Sequence, residues 1–246
     1  MAIDAYYDQL VPYYKYIYAD WDASVKRQAA ALDGVIREYF GSVARRVLDA
    51  ACGIGTQAIG LAELGYAVTA SDLSAAAIDR ARREADRRGL AIEFHVADMR
   101  DLRAVYQREF DIVIACDNAI PHLLSDEDIL AAFRQFHASA RLGCLISVRD
   151  YAAMDRTGQQ FYPRQVQDVG DTRLVLFDVW DFDGDYCDMT TYAIEHTGDQ
   201  ITTHAMRGRY YCVTIAALER LMSQAGFAHI ATVRDRFFQP LIVGVK

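Results

Sequence analysis

Short apolar segments alternate with amphipathic segments along the middle of the chain, and this alternation constrains the fold more than any other feature. The predicted strands lie at residues 45–50, 67–71, 92–97, 110–116 and 144–148. The segments with helical periodicity lie at residues 56–64, 75–88 and 126–138. Because parallel neighbouring strands need a crossover long enough to hold a helix, the pattern predicts an α/β fold. Its sheet is expected to be mostly parallel, with helices on both faces.

Four segments make up the single domain that we predict for residues 1–246. The predicted segments are an aromatic N-terminal lid with its helix at 1–40, a core at 41–151, an antiparallel insertion at 170–212, and a C-terminal helix with strands at 213–246. Within the insertion, the strands expected at 174–180, 186–196 and 202–211 are separated by the turn sequences Asp183-Gly184-Asp185 and Gly198-Asp199. The C-terminal strands are expected to complete the main sheet.

Composition argues against several classes of protein. The chain has 26 basic and 34 acidic side chains, a net charge of −8, and no cluster of Lys and Arg that would follow a phosphate backbone. We find neither a leader-like N-terminus nor an apolar segment of membrane-spanning length. The five cysteines are scattered singly, without the spacing of a metal site. We therefore expect a cytoplasmic protein with no metal and no nucleic-acid or membrane partner; the oligomeric state stays open.

A glycine turn follows the first predicted strand, in the segment Asp49-Ala50-Ala51-Cys52-Gly53-Ile54-Gly55-Thr56. Its two glycines let the backbone turn sharply and approach a ligand closely. Asp72 ends the second predicted strand, 23 residues beyond Asp49, where a carboxylate can accept both hydroxyls of a ribose. A nucleoside cofactor is therefore predicted. Ala58 stands where many dinucleotide enzymes have a third glycine, which weighs against, without excluding, an NAD-binding module.

These residues resemble the class I S-adenosylmethionine-dependent methyltransferases. The segment Val47–Thr56 is similar to their first motif, Asp72 to their ribose-binding acid, and Ala97-Asp98-Met99 to their adenine-contacting segment. The resemblance implies a Rossmann-like fold with a seven-stranded sheet and S-adenosylmethionine as the cofactor. The cofactor-binding residues that it implies in the core are Asp49, Ala51, Gly53, Gly55, Asp72, Leu73, Asp98, Met99 and Asp117.

Two further segments resemble the glycine and sarcosine N-methyltransferase group. They are Cys116-Asp117-Asn118-Ala119-Ile120-Pro121-His122-Leu123 and Ser147-Val148-Arg149-Asp150-Tyr151. The resemblance implies that Arg149 binds a substrate carboxylate and that Asn118 binds the acceptor amine. It also implies a tyrosine lid in which Tyr7 and Tyr18 contact the sulfonium or the substrate, while Arg27 binds the methionyl carboxylate.

The expected reaction is an in-line transfer of the methyl group to a nitrogen of a small polar molecule. Such a transfer depends mainly on proximity and orientation, and His122 is a candidate to accept a proton if one must leave. The catalytic candidates are therefore Asn118, His122, Arg149 and Tyr7, and the substrate candidates are Arg149, Tyr151, Tyr7, Tyr14 and Trp180.

The nature of the acceptor stays open at this point. An amino acid such as glycine or sarcosine fits the group above, whereas the aromatic lid also suits a planar nitrogen heterocycle. The chain is similar in this respect to small bacterial secondary-metabolite N-methyltransferases, including those that act on azapteridines. Methylation of an oxygen is an alternative, since the core is shared by all these chemistries. A nucleoside-binding module without catalysis is the alternative from another class.

Overall fold

The computed structural model describes residues 3–246, and side chains from residue 4 onward. The helices are α1 (Ile3–Tyr14), α2 (Trp21–Phe40), α3 (Thr56–Glu63), α4 (Ala75–Arg87), α5 (Leu102–Tyr106), α6 (Asp126–Ser139) and α7 (Ile215–Ala225). The strands are β1 (Arg46–Asp49), β2 (Ala67–Asp72), β3 (Glu93–Val96), β4 (Phe110–Ala115), β5 (Ala140–Ser147), β6 (Gln159–Val169), β7 (Thr172–Asp183), β8 (Tyr186–Thr197), β9 (Gln200–Tyr211), β10 (His229–Val233) and β11 (Leu241–Val245). None of the described helices combines the length and the apolar character needed to cross a membrane.

Seven strands form the main sheet in the order β10-β11-β5-β4-β1-β2-β3. The pairs from β3 across to β5 are parallel, and β11 runs antiparallel to both of its neighbours. The chain leaves β1 towards β2 and β3 on one side and later returns to place β4 on the other side. Such a reversal opens a crevice at the carboxyl ends of the two central strands, where ligands bind in folds of this type. The predicted mostly parallel, seven-stranded sheet is confirmed.

Helices cover both faces of this sheet because their apolar residues recur with helical spacing. In α2, Val25, Ala29, Leu32 and Ile36 are buried against one face of the sheet. On the other face, α6 buries two phenylalanines and α7 its leucines. Helix α2 begins at Trp21 because the Asp20 side chain caps it by accepting the Ala23 N–H at 2.9 Å.

The second sheet is antiparallel, with the order β6-β7-β8-β9. Its inner face packs against α1, where Tyr6 and Leu10 join Leu176, Trp180 and Met189 in one apolar cluster. We predicted three strands for this insertion, and the structure adds β6 as a fourth. We did not predict strand β6 because its sequence is rich in Gln and has a proline in its interior. In the structure it is an edge strand whose residues are at most half-buried. Helix α1 therefore lies between the two sheets, above the crevice.

Candidate active site

Two cavities lie at the carboxyl ends of the central strands. Cavity A, of about 330 Å³, is bounded by the segments that follow β1, β2, β3 and β4. Cavity B, of about 430 Å³, lies between α1 and the inner face of the second sheet. Tyr7, Tyr14 and Asp117 line both cavities, so the two spaces meet at these three side chains. Both volumes are in the range of small-molecule sites, roughly 300 to 1,000 Å³.

The glycine turn after β1 forms part of the wall of cavity A. Gly53 and Gly55 have φ values of +53° and +93°, which side chains with a Cβ adopt with strain. A Cβ on Gly53 would lie 3.3 Å from Cε1 of Tyr14, so a glycine here also lets the lid tyrosine pack directly on the turn. Ala51 and Gly53 line cavity A, whereas Gly55 shapes the turn as it enters α3.

Asp72 is the acid that ends β2, and it lines cavity A as predicted for a ribose-binding residue. Its Oδ2 accepts the Gly53 N–H at 2.8 Å, and its Oδ1 accepts the Ser74 N–H at 2.9 Å. Burial raises the pKa of Asp72 above its usual range. Each oxygen keeps a further lone pair, because a carboxylate offers about four acceptor positions. Two backbone donors therefore fix the carboxylate and leave it able to accept two hydroxyls.

Asp49 ends β1 immediately behind the wall of cavity A. Its Oδ1 accepts the Ala51 N–H at 3.4 Å, while its Oδ2 is buried without a hydrogen-bond partner among the described residues. Burial raises the pKa of Asp49 to about 7. A buried acceptor without a donor is costly, and a cationic ligand group nearby would relieve that cost. This environment fits a ligand that carries an ammonium group.

Apolar and acidic side chains after β2 and β3 form the far end of cavity A. Leu73 and Met99 line the cavity there beside Asp98. The Asp98 carboxylate accepts hydrogen bonds from the Arg100 guanidinium at 2.6 and 3.1 Å, and this contact lowers the pKa of Asp98. Arg100 also binds Asp128 at 3.0 Å. Sequence reasoning missed Arg100, which holds the predicted adenine-contacting acid in its ionised form.

A tyrosine–histidine pair joins the lid to the segment after β4. The Tyr7 hydroxyl lies 2.9 Å from His122 Nε2, and His122 Nδ1 lies 3.1 Å from the Arg209 carbonyl oxygen. Because a carbonyl oxygen only accepts, Nδ1 carries the imidazole proton and Nε2 accepts the proton of Tyr7. Burial lowers the pKa of His122 to about 3 and raises that of Tyr7. Both groups are therefore neutral at physiological pH.

Asp117 stands where the two cavities meet. Its backbone has a φ of +57°, and its N–H donates to Ser147 Oγ at 2.7 Å. The Tyr18 hydroxyl donates to one carboxylate oxygen at 3.2 Å, and the Gln239 amide donates to the other at 3.3 Å. The lid and the C-terminal segment thus hold the predicted cofactor residue from two sides. Gln239 carries no sequence signal for this role.

Three predicted contact residues lie behind cavity B instead of lining it. Asn118 is fully buried; its amide nitrogen donates to the Tyr151 hydroxyl oxygen at 2.8 Å, and its amide oxygen accepts the Arg149 N–H at 3.0 Å. Tyr151 is fully buried and Trp180 is 2% exposed, with the Arg149 guanidinium 5.0 Å above the Trp180 ring. Direct contact of Asn118 with an acceptor amine, or of Tyr151 and Trp180 with substrate, does not fit these positions. We reassign all three as residues that position Arg149.

Arg149 and Arg27 line cavity B. The Nη1 atom of Arg149 is buried without a hydrogen-bond partner among the residues that the structure describes. Arg27 is exposed on α2 and donates to Ser24 Oγ at 3.1 Å, at the end of the cavity that Tyr18 also lines. An ion pair that sequence reasoning missed, Arg164 with Asp178, lies on the inner face of the second sheet in the same cavity.

Residues 47–143 match a protein family described as a methyltransferase domain. The match spans 97 of the 246 residues of the chain. The match covers the first five strands of the main sheet up to the middle of β5, together with the walls of cavity A that follow β1, β2, β3 and β4. The second sheet and the lid, which complete cavity B, lie outside the match.

Curated relatives include enzymes that act on nitrogen and on oxygen. The chain is 31% identical over 137 residues to a glycine/sarcosine N-methyltransferase of Parasynechococcus marenigrum. This alignment covers 56% of this chain and 47% of that protein. The chain is also 35% identical over 116 residues to a ubiquinone biosynthesis O-methyltransferase of Methylocella silvestris. That alignment covers 47% of this chain and 42% of that protein. The match to this chain thus spans about half the length of these relatives.

Solved structures resemble the chain over most of its length. A sugar N-methyltransferase from Streptoalloteichus superposes with a TM-score of 0.78 at 19% identity, covering 90% of this chain and 87% of that one. An amino pentose methyltransferase from Micromonospora echinaspora, solved with S-adenosylmethionine bound, gives 0.77 at 19% identity and covers 90% and 91%. The predicted class I methyltransferase fold is confirmed, and the cofactor predicted from the sequence is the one bound in the second structure.

Proposed function

We propose that this protein transfers a methyl group from S-adenosylmethionine to a nitrogen of a small polar molecule. One observation carries the proposal: cavity A has the groups that a nucleoside cofactor needs, and it meets cavity B at Tyr7, Tyr14 and Asp117. A cofactor in one cavity and an acceptor in the other would bring their reacting atoms together at this junction. Proximity of this kind provides much of the rate acceleration in a displacement reaction.

The residues around cavity A fit S-adenosylmethionine group by group. Asp72 would accept the ribose hydroxyls, and Leu73 and Met99 would enclose the adenine ring beside Asp98. The unpartnered oxygen of Asp49 suits the methionyl ammonium, which would keep that carboxylate ionised. When bound, S-adenosylmethionine supplies a methyl group on a positively charged sulfur.

The junction of the cavities provides an electronegative lining for that charge. The Tyr7 and Tyr14 side chains and the Asp117 carboxylate surround it, and α1 covers it from the solvent. Fixed hydroxyl and carboxylate groups in an enclosed site stabilise charge more effectively than water does. The lid therefore both excludes water and orients the acceptor against Arg149.

Removal of a proton from the acceptor would pass through the tyrosine–histidine pair. The Tyr7 hydroxyl donates to His122 Nε2, so its oxygen can receive a proton while its own proton moves to Nε2. With a pKa of about 3, His122 is a weak base. A weak base suits a neutral nitrogen nucleophile, which attacks without prior deprotonation, better than it suits a hydroxyl. This argument favours nitrogen over oxygen as the methyl acceptor.

Oxygen methylation is the second candidate. The same pair could receive the proton of an acidic phenol, and O-methyltransferases occur among the relatives. An acceptor that ionises readily in water would need no strong base from the protein.

The proposal is tested by calorimetric titration with S-adenosylhomocysteine, followed by an acceptor screen with mass-spectrometric detection of methylated product. The screen spans nitrogen heterocycles, amino acids and phenols. Micromolar or tighter binding with a methylated nitrogen is expected. Binding without any product would favour the nucleoside-binding module, and preferential binding of NAD would overturn the cofactor assignment.

A further inference from the structure

The outer face of the second sheet, turned away from cavity B, is apolar at its centre. Along β7 the even-numbered residues from Leu174 to Trp180 are buried on the inner face, so the odd-numbered residues point outward. The strand register extends this alternation to the other strands, and the outward apolar residues are Phe161, Pro163 and Val166 on β6, Val175, Phe177 and Val179 on β7, Tyr192 and Ile194 on β8, and Ile201 and Ala205 on β9. An antiparallel sheet whose outer face meets water usually has polar residues there.

The described part of the chain leaves these side chains uncovered. Phe161, Val166 and Ile201 are 62%, 66% and 64% exposed. The Phe177 ring lies 5.3 Å from the Phe161 ring and stacks at 4.9 Å on the Tyr192 ring, so the aromatic surface is continuous across three strands. Contiguous exposed apolar surface of this kind marks an interaction site in proteins.

The outer face is large enough for a stable contact between two copies of the chain. It spans residues 173–181 of β7 and is four strands wide. At about 3.3 Å per residue and about 4.8 Å per strand, it measures about 30 Å by about 19 Å. Two such faces would bury about 1,100 Å², before the relief of the side chains is counted, and specific interfaces begin at about 1,000 Å².

The charges on the outer face favour a second copy over other partners. Three aspartates and three arginines point outward around the apolar centre: Asp168, Asp181, Asp188, Arg173, Arg207 and Arg209. Arg173 binds Asp168 at 3.0 Å, and Arg209 binds Asp188 at 3.3 Å. These six charges cancel, in a chain of net charge −8. A nucleic acid or an anionic membrane would need an excess of basic groups, whereas copies that repel one another elsewhere can meet at a neutral face.

The two edges of the outer face differ in height and can cover each other. Pro163 and Val166 are bulky residues on β6, whereas Ala205 and Thr203, in the same rows across the sheet, are small residues on β9. A two-fold axis parallel to the strands keeps each row in place and lays β6 of one copy over β9 of the other, so the bulky edge covers the low one. Edge-to-edge pairing through β6 is disfavoured, because Pro163 has no N–H and the register shifts beside it.

We propose that two copies of this chain pair through the outer face of the second sheet, about a two-fold axis parallel to its strands. In this dimer β7 of one copy packs on β8 of the other. Phe161 lies beneath Arg207 of the second copy, where a guanidinium stabilises itself on an aromatic ring. The inner face of the same strands forms a wall of cavity B, so pairing covers that wall from outside. The inference concerns a surface outside both cavities and does not depend on the proposed function.

The oligomeric state of the 246-residue chain tests the inference. Size-exclusion chromatography with light scattering is run from about 1 to about 100 μM, because interfaces of this kind have dissociation constants of micromolar or below. We expect twice the chain mass of 27.7 kDa at the higher concentrations. A wild-type protein that keeps the mass of a single chain throughout would overturn the inference.

Lysine substitutions test whether the contact uses the outer face. Val166→Lys and Ile201→Lys each bury a charge in the interface and should raise the dimer dissociation constant about tenfold or more. Both side chains are exposed in the single copy, so neither change removes core packing. Val43→Lys is the matched control, because Val43 is 61% exposed and precedes β1 at the end of the main sheet opposite the crevice. The control should dimerise like the wild type; a dimer that survives both outer-face variants, or an equal loss in the control, would contradict the inference.

Chemical cross-linking tests the direction of the axis. The five native cysteines are buried, so an introduced pair of exposed thiols reacts selectively. A short bismaleimide matched to the spacing of about 10 Å between packed sheets should link the copies of Val166→Cys/Thr203→Cys. It should link neither single variant. An unlinked double variant, or linkage of Val166→Cys alone, would refute the axis, and this readout also decides the matter if a lysine variant does not fold.

Discussion

Replacing Asp72 with asparagine tests the cofactor assignment most directly. The substitution keeps the size of the side chain but removes its charge and one of its two acceptor oxygens. The carboxylate now accepts the N–H groups of Gly53 and Ser74 and still offers a lone pair on each oxygen to the ribose hydroxyls. In the variant, one ribose hydrogen bond is lost and the other becomes a neutral one.

Hydrogen bonds to a charged group contribute roughly 1.5–3 kcal/mol each, about twice as much as neutral ones. One bond lost and one weakened therefore costs about 2–4 kcal/mol of binding, which is roughly a 30-fold to 1,000-fold increase in the S-adenosylhomocysteine dissociation constant.

Calorimetric titration measures this increase directly. Asp79→Asn is the matched control, because Asp79 loses the same charge from an exposed position on α4, where it pairs with Arg82. We expect the control to bind like the wild type. A folded Asp72→Asn protein with an unchanged dissociation constant would refute the assignment of Asp72 to the ribose, and an equal loss in both variants would point to a general charge effect.

Three further predictions follow from the titrating groups. Tyr7→Phe removes a hydroxyl from the electronegative lining of the junction, and it should lower kcat about 100-fold with near-normal S-adenosylhomocysteine affinity. Because the pKa of His122 is about 3, a kcat limb near neutral pH that disappears in His122→Asn would contradict the role given to this pair. Below the Asp49 pKa of about 7, the cofactor must displace a proton from the Asp49 carboxyl group. The affinity for S-adenosylhomocysteine should therefore fall about tenfold for each pH unit below 7. Calorimetry should find that the affinity of Asp49→Asn depends less steeply on pH. The pKa of Asp111 is lowered to about 2 by the backbone N–H groups of residues 45 and 46 and by two arginine side chains. Its contribution of about 2 kcal/mol to the free energy of unfolding is therefore present above the ordinary aspartate pKa and is lost as the pH falls towards 2. In urea unfolding, the free energies of wild type and Asp111→Asn should differ at neutral pH and converge at acidic pH.

Much of the fold was open to prediction because its signals are local. Alternating strands and helices, the glycines at 53 and 55, and an acid at the end of β2 each depend on residues close together in sequence. Where the local signal was weak, the prediction failed. Strand β6 was missed because nothing in its own sequence marks a strand that becomes ordered by pairing with β7.

The sequence by itself determined the fold class, the cofactor end of the site and the residue types around the acceptor. Only the tertiary structure decided which of those residues face a cavity. Asn118 and Tyr151 follow adjacent strands and looked suited to contact substrate, yet packing buries both behind Arg149. The Tyr7–His122 contact joins residues 115 positions apart, and the Arg164–Asp178 pair depends on the register between β6 and β7. Burial and charge pairing are set by segments that meet only when the chain folds, so no local pattern records them.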